Sequence, residues 1–420
     1  MLSHRFSAKA WFYIPLSLFL LLRIAIICLL YFITNNSEFT MDQWVFDLGS
    51  DPFSVITFGT DASNYSQPPF FPVALAPFAF ITGLFFGEFL ASRISFTIFE
   101  LLGFLITAKY LSISKSSSVR DKKIALLILA FSPIGFMAGT VMRTEEAIVM
   151  IFTSALILAM KKGREKPASI LIFLGMITGK ILFGVMFFPL LITLKNKKEV
   201  FKWGIYPALI FLIVYCVIGY SITGMVPFIE FSPSSTAFCL SMFTLIQQYS
   251  YIGITGGFLK WTSLALVFAF LTILWIIRKK LNRADFNELA LLSFIILFLF
   301  FYHIIPEYLI YALPLFAVVP MEHKNKVERH FFHGLHLVLA LASTGFGIAY
   351  GLKVYAKGFG YKSLSKDLAL NMYNKALGNT SIEILEKSLL TISVIALFLL
   401  LFMIYKHLNL KNRAVIIKPY

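Results

Sequence analysis

Charged residues are scarce in this sequence, at 14% of 420 positions, and acidic residues are fewer than basic ones, 21 against 37. Hydrophobic residues make up 59%, so a water-soluble fold would have to expose too much apolar surface. Apolar stretches such as 11–31, which Arg23 interrupts, and 389–405 are long enough to cross a bilayer core of about 30 Å as helices. The composition therefore predicts an all-α polytopic membrane protein.

Cysteine is nearly absent. The three cysteines, Cys28, Cys216 and Cys239, have no CxxC spacing, so the sequence supports neither a cysteine zinc motif nor a disulfide framework. The formal net charge is +16, but the basic residues occur in short bursts between apolar segments. The positive-inside rule accounts for such bursts, so the charge implies no nucleic-acid partner.

Lys and Arg are also absent from two long segments, 35–70 and 223–258, which the positive-inside rule places outside the cytoplasm. We predict cytoplasmic termini and about twelve spans. The basic bursts, interpreted as cytoplasmic loops, lie at 109–123, 161–166, 195–202, 278–283, 324–329 and 406–418. The predicted spans are approximately 11–34, 91–110, 124–142, 145–160, 167–181, 183–194, 203–222, 259–277, 287–304, 307–320, 331–350 and 388–405.

A single membrane domain, 1–420, is predicted because no internal repeat or linker is evident. Segment 35–90 is predicted to be an external catalytic loop that ends in a juxtamembrane helix near 69–87. Counting that helix as a span would place the basic 109–123 loop outside. Segment 351–387 is also placed outside as a C-terminal external segment, although it carries six lysines.

The first external loop holds five acidic residues and no Lys or Arg. Uncompensated carboxylates beside a membrane indicate a cation site, a catalytic base or recognition of hydrogen-bond donors on a substrate. Caps and turns, as for Asp51 before Pro52, are the alternative role for about three of them. The carboxylates could hold a divalent metal, but their spacing does not require one. The five are Glu38, Asp42, Asp47, Asp51 and Asp61.

Three short motifs lie in and after this loop: MDQWVF at 41–46, YSQPPFFP at 65–72 and GEFLASRIS at 87–95. Together with the short basic N-terminus and the single preceding span, they resemble the GT-C class of glycosyltransferases, which use polyprenyl-phosphate sugars. MDQWVF is similar to the Asp-x-x-Val-Phe element of mannosyltransferases of the GPI-anchor pathway and of related prokaryotic enzymes. YSQPP departs from the tighter Tyr-Pro-Pro spacing of the class.

Further motifs follow in the order of the same class: RTEEA at 143–147, LGMITGK at 174–180 and HIIPEYLIYALP at 303–314. The resemblance covers about residues 1–315. It implies an inverting transfer of a hexose, with mannose favoured, from a polyprenyl- or dolichyl-phosphate donor. The implied acceptor is a glycan, a glycolipid or a protein.

Asp42 is the predicted catalytic base because it aligns with the family's aspartate and follows the first span closely; Asp47 is the reserve candidate. Helix capping is the alternative role for Asp42. The resemblance assigns Tyr65, in the Tyr-Pro-Pro-like element, to substrate binding. Glu307 is a predicted sugar or donor contact because an ionisable group at the mouth of a span is expected to be functional. A structural hydrogen bond between helices is the alternative for Glu307.

Arg93, Arg143 and Lys180 are cations that the predicted topology places near the external face, where the donor phosphate would explain them. The alternatives are an ion pair between Arg143 and Glu145 or Glu146, and snorkelling of Lys180 to the interface. Glu146 is also included among the predicted substrate-binding residues.

The alternatives to an enzyme are a polytopic transporter or lipid-sugar flippase, and a non-catalytic subunit of a membrane assembly. Transporters commonly show two related halves with helices broken at matching places, and no such halves are evident. The predicted location is the plasma membrane of a prokaryote or the endoplasmic reticulum membrane of a eukaryote, with membrane lipids as partners. No metal-ligating residues are assigned.

Overall fold

The computed structural model is helical almost throughout, and no strand occurs in the segments that it describes. This confirms the predicted all-α membrane class. The described segments are 2–34, 69–114, 118–194, 196–223, 240–249, 256–277, 285–302, 304–323, 325–356 and 378–416.

The first half of the chain contains long helices that alternate with short ones. They are α1 (Leu2–Thr34), α2 (Phe71–Gly83), α3 (Glu88–Ile113), α4 (Val119–Phe131), α5 (Pro133–Phe136), a π-helix (Met137–Val141), α6 (Glu146–Lys161), α7 (Glu165–Thr178), a 3₁₀ helix (Ile181–Met186) and α8 (Phe187–Thr193).

The second half continues in the same way. It consists of α9 (Lys197–Val200), a π-helix (Phe201–Ile205), α10 (Tyr206–Thr223), α11 (Met242–Tyr249), α12 (Gly256–Ile276), α13 (Phe286–Phe300), a 3₁₀ helix (Pro306–Ala312), α14 (Leu313–Val318), a 3₁₀ helix (Val319–Glu322), α15 (Lys326–Ala356) and α16 (Gly378–Ile416).

All twelve predicted spans fall on these helices, but only six helices in the described segments are long and apolar enough to cross a membrane. Four further apolar helices are shorter. The number of crossings therefore stays a prediction, while the multi-pass character of the chain is clear. The six are Ala10–Phe32, Glu88–Ile113, Val119–Val141, Lys197–Ile222, Lys326–Ala349 and Ile384–Leu408.

One end of the bundle, which we call the loop end, is where α1 ends and α2 begins. The ring of Tyr31, in the last turn of α1, lies 5.7 Å from the ring of Phe89 at the start of α3. The backbone N–H of Phe70 donates to the carbonyl of Ile177, near the end of α7, at 3.1 Å. Both described flanks of the acidic loop are thus fixed at this end.

The opposite end, which we call the basic end, holds the start of α4 and the end of α6. Lys161 lies with its Nζ 5.8 Å from the ring of Tyr110, in the last turn of α3. The Asn287 side chain donates to the Tyr110 hydroxyl at 2.8 Å and to Glu322 at 3.0 Å. This is the end that the positive-inside rule predicts to face the cytoplasm.

Helices α3 and α6 pack closely side by side and run in the same direction. A Cβ added to Gly103 would lie 2.8 Å from Met150 Cγ, so the glycine lets the two helices approach. One turn further along both helices, the Thr107 hydroxyl donates to Ser154 at 2.9 Å. The same register places Glu146, the first residue of α6, level with Phe99, about three turns into α3.

Helix α2 lies within 69–87, where a juxtamembrane helix is predicted, and its position relative to the membrane stays a prediction. It packs one face against α3, through Phe71 and Leu75 among others, and the Thr82 hydroxyl hydrogen-bonds Ser95 at 2.9 Å. The opposite face and the following turn expose large apolar side chains, including Leu84 and Phe85. A helix with one packed face and one apolar exposed face suits the predicted place in the membrane interface.

Candidate functional site

A buried ion cluster lies at the loop end, where α7 meets the start of α6. The ammonium of Lys180 contacts the carboxylate of Glu145 and lies 3.3 Å from that of Glu146. All three residues are less than 10% exposed in the bundle. Buried charges of this kind need partners, and here one cation faces two carboxylates.

Two glycines of the LGMITGK motif allow Lys180 to reach α6. A Cβ on Gly175 would lie 3.2 Å from Phe152 Cβ, and one on Gly179 would lie 2.5 Å from Val149 Cγ2. Both neighbours belong to α6, so larger residues would push the two helices apart. The helix ends at Thr178, and Lys180 then takes an extended conformation from which its side chain enters the cluster.

Arg143 lies in the turn that joins the first π-helix to α6. Its φ of 55° is in the left-handed region, which only a few per cent of non-glycine residues occupy. The Thr144 hydroxyl donates to the Ala138 carbonyl at 3.1 Å and thereby closes the turn. The turn sets Glu146 at the first residue of α6, where the helix dipole favours a negative charge.

The HIIPEYLIYALP motif closes the cluster from another side. Its 3₁₀ helix packs against α6, and the ring of Tyr308 lies 5.6 Å from Lys180 Nζ. Tyr308 stacks on Tyr311 with ring centroids 5.3 Å apart. Glu307 is buried beside them, within electrostatic range of Glu145 and Glu146. This part of the chain therefore adds a third carboxylate and two phenol rings.

Arg93 lies at the same end of the bundle. Its guanidinium is 3.8 Å from the centre of the Phe89 ring, and Nη1 donates to the Phe89 carbonyl at 3.2 Å. The hydroxyls of Thr97 and Thr140 are 3.1 Å apart and tie α3 to the π-helix. Arg93 lies one turn from Thr97, and Arg143 one turn beyond Thr140, both toward the loop end.

Lys180 pairs with Glu145 and Glu146, the two carboxylates for which the sequence analysis gave Arg143 as an alternative partner. Snorkelling of Lys180 is wrong, because the side chain is buried among protein groups.

A second buried ion pair was not anticipated from the sequence. Arg23 Nη2 donates to Glu100 Oε2 at 2.8 Å, and Nη1 donates to the Ala130 carbonyl. The other oxygen of Glu100 accepts from the backbone N–H and the hydroxyl of Thr140, at 2.9 and 3.0 Å. A charged residue in each of two apolar spans was the signal that could have revealed this pair.

Three predicted site residues, Asp42, Asp47 and Tyr65, lie outside the described segments. Tyr31 and Phe70, on the two described sides of this loop, contact Phe89 and Ile177 at the loop end. Of the other predicted site residues, the structure brings Glu146, Lys180 and Glu307 into one cluster and places Arg93 and Arg143 at the same end. No substrate role is predicted from the sequence for Glu145, Tyr308 or Tyr311.

The cluster offers two kinds of recognition. A lysine and two arginines can neutralise a phosphate, and buried carboxylates and tyrosine hydroxyls can hydrogen-bond the hydroxyl groups of a sugar. Because Lys180 already contacts glutamates, an anionic ligand at this site would have to share its ammonium with them.

Comparison with known proteins identifies the family. The family model for glycosyltransferase family 87 matches residues 65–302, more than half of the chain. The match includes Arg93, Arg143 and Lys180, whereas Asp42 precedes it and Glu307 follows it. No curated protein matches the chain. The resemblance seen in the motifs is confirmed: this multi-pass membrane protein belongs to glycosyltransferase family 87, a GT-C-like family.

Proposed function

We propose that this chain transfers a hexose, with mannose favoured, from a polyprenyl- or dolichyl-phosphate donor to a glycan, glycolipid or protein acceptor, with inversion. The observation that carries the proposal is the buried Lys180 cluster at the loop end of a chain from a glycosyltransferase family. An amphiphilic donor can present its phosphate there while its lipid stays in the membrane. In this proposal, the loop end faces the non-cytoplasmic side.

The donor phosphate is the group that these cations would bind. It is anionic in the ground state and gains charge as the sugar leaves, so a preorganised cation stabilises the transition state more than the substrate. Lys180 and Arg143 are proposed to contact it, with Arg93 as a third cation at the same end. The unusual backbone of Arg143 fits a functional constraint on this residue.

The proposed reaction is a single displacement at the anomeric carbon. The acceptor oxygen forms a bond to this carbon as the bond to the phosphate oxygen breaks, and the phosphate leaves with the electron pair. Asp42 takes the proton from the acceptor hydroxyl. Glu146, Glu307 and Tyr65 are proposed to hydrogen-bond the sugar or the donor, and Asp47 is the reserve base.

No metal is required by these steps. A divalent cation at this site would be held by the carboxylates of the acidic loop, which lies outside the described segments. The proposed proton transfer and phosphate binding use only protein groups. The plasma membrane of a prokaryote or the endoplasmic reticulum membrane of a eukaryote is the proposed location, because lipid-linked sugars are presented there.

A donor panel tests the proposed function. The purified full chain in proteoliposomes, supplied with a membrane glycolipid extract as acceptor, is expected to transfer radiolabelled mannose from polyprenyl-phosphate mannose. The measured quantity is label in the acceptor fraction after separation from the donor. Transfer from a nucleotide sugar in the absence of the lipid-linked donor would contradict the proposed donor class, and transfer of glucose in preference to mannose would correct the sugar.

Replacing Lys180 by Gln is expected to reduce kcat/KM for the donor by about 10- to 100-fold, because a charge-assisted hydrogen bond contributes about 1.5–3 kcal/mol. Lys162→Gln, an exposed lysine at the basic end, is the matched control and should leave kcat/KM unchanged. Rates are measured on protein that elutes as a folded monodisperse species. If kcat/KM per folded molecule stays at the wild-type value while folded yield falls, Lys180 has only a structural role.

A further inference from the structure

A second polar cluster lies at the basic end, away from the proposed transfer site. A carboxylate oxygen of Glu288 and a ring nitrogen from each of His323 and His407 all lie within 4.8 Å of one another. His407 Nε2 lies 3.2 Å from Glu288 Oε1. The two imidazole rings are nearly parallel, with centroids 3.9 Å apart.

The three side chains come from three separate elements. Glu288 lies in the first turn of α13, His323 follows the last 3₁₀ helix, and His407 lies in α16. Glu288 and His323 are buried, and only 14% of the His407 side chain is exposed. Residues 35, 84 and 119 sequence positions apart are thus brought to one point, which local sequence patterns cannot reveal.

The chemistry of this set fits a divalent transition metal. Two imidazoles and one carboxylate are the protein ligands of many zinc sites, with water in the fourth position. At the usual zinc–ligand distances of about 2.0–2.2 Å, two ligand atoms lie roughly 3.4 Å apart. The 3.2 Å pair already meets this spacing, and the other ligand atoms lie within 4.8 Å. Because the two imidazoles are stacked, metal binding requires one ring to rotate out of the stack, so that both nitrogens point at the ion.

We propose that Glu288, His323 and His407 form a zinc site. This proposal concerns a site that is independent of the proposed transfer reaction. Along α13, Glu288 is twelve residues from Phe300, which corresponds to about 18 Å of helix. Asn287, next to Glu288, hydrogen-bonds Tyr110, so the proposed metal lies at the basic end.

Glu328 is placed to support the site from outside. Its carboxylate lies 3.9 Å from Nδ1 of His323. Metal binding through Nε2 leaves Nδ1 to donate to this carboxylate, an arrangement that commonly orients histidine ligands. The Arg329 guanidinium donates to the His323 backbone carbonyl at 3.3 Å and holds this residue from the other side.

The site joins two parts of the chain. Glu288 lies within the residues that match the glycosyltransferase family, and His323 and His407 follow them. Helices α15 and α16 pack extensively on each other, and α16 also packs on α13. A metal bound by all three residues would clamp the C-terminal helices to the glycosyltransferase part of the chain.

Metal content tests the proposal directly. The full chain, purified in mild detergent without chelator from zinc-supplemented cells, is expected to contain about one zinc ion per chain by inductively coupled plasma mass spectrometry. After chelation, Zn²⁺ should restore the thermal unfolding temperature, because a ligand that binds only the folded state stabilises it. Co²⁺ should give the visible absorption of a tetrahedral complex.

Variants locate the site. Glu288→Gln and His407→Gln are expected to lower the zinc content at least about tenfold, and Glu328→Gln should weaken zinc binding by about 10-fold through its support of His323. His330→Gln, an exposed histidine at the same end, is the matched control and should keep the zinc. Polyprenyl-phosphate sugar transfer provides a separate readout, so failure of one proposal does not affect the other.

Two outcomes would overturn the zinc site. Wild-type protein that binds neither zinc nor cobalt stoichiometrically, with an unfolding temperature that Zn²⁺ leaves unchanged, means that the cluster is only a hydrogen-bonded ion pair between Glu288 and His407. Zinc content that stays at the wild-type level in both ligand variants means that the metal binds elsewhere. The wild-type measurements decide the question even if a ligand variant fails to fold.

Discussion

Replacing Asp42 by Asn is expected to reduce the rate of sugar transfer by about 10²- to 10⁴-fold, with donor binding nearly intact. The amide has almost the same size as the carboxylate but cannot accept the proton of the acceptor hydroxyl, and general base catalysis contributes about this factor. The base is needed only for acceptor attack, so the loss should appear in kcat. The measurement is single-turnover transfer from polyprenyl-phosphate mannose, with donor binding measured separately by equilibrium titration.

Two other aspartates of the same loop serve as comparisons. Asp47→Asn should reduce the rate less, and Asp51→Asn should leave it unchanged, because a turn role before Pro52 explains that residue. Near-wild-type turnover of Asp42→Asn together with a large loss for Asp47→Asn would move the base to Asp47. Equal losses in all three variants would instead indicate a shared electrostatic role for the loop, and no single base.

The helical architecture was predictable because the length of each apolar segment and the basic residues between segments can be read from the local sequence. Each predicted span falls on a helix, and the RTEEA and LGMITGK motifs do meet at one end of the bundle. The glycines of LGMITGK were a usable signal, since small residues in a membrane helix indicate close packing. The prediction that Arg143 and Lys180 share a site rested on the topology, which places both cations near the external face, and it stays a prediction.

The partners within the site were not predictable. Pairing of Lys180 with Glu145 and Glu146 depends on the left-handed turn at Arg143 and on the extended backbone of Lys180. Neither conformation has a sequence signature in these residue types, because left-handed backbone is predicted mainly at glycine and asparagine. The sequence could therefore identify the charged residues but not which of them form ion pairs.

The same limit applies to Arg23. Its position in the first span was visible, but its partner, Glu100, is 77 positions away, and the carbonyl that it also contacts belongs to Ala130. Gly139 has no Cβ, and one added there would lie 2.7 Å from Glu100 Cδ, so this glycine makes room for the carboxylate. Long-range charge pairing depends on which helices become neighbours, and composition alone does not determine that.

The Arg23 pair also reaches the proposed site. Glu100 binds Thr140 in the π-helix, and Arg143 and Glu146 follow within six residues. A π-helix inserted in a longer helix frequently occurs at a functional site, where it redirects the residues that follow. The buried ion pair therefore holds in place the π-helix, which precedes Arg143 and the start of α6.

Replacing Glu100 by Gln is expected to lower the free energy of unfolding by about 3–5 kcal/mol. The change leaves the Arg23 charge buried without its carboxylate, and breaking one partner of a buried ion pair has an effect of this size. Glutamine can still accept hydrogen bonds from Thr140, so the loss reports mainly on the uncompensated charge. Unfolding is measured in mild detergent, with folded yield from size-exclusion chromatography as a second readout.

A double variant separates the effect of the unpaired Arg23 charge on stability from the effect of lost side-chain packing. Arg23→Met combined with Glu100→Gln should recover most of the lost stability, because no unpaired charge remains and methionine fills much of the arginine volume. Glu88→Gln, an exposed glutamate at the start of the same helix, is the matched control and should leave the unfolding temperature unchanged. A Glu100→Gln protein as stable as the wild type, or a double variant no more stable than Glu100→Gln alone, would contradict the buried pair as the main stabilising contact between α1 and α3.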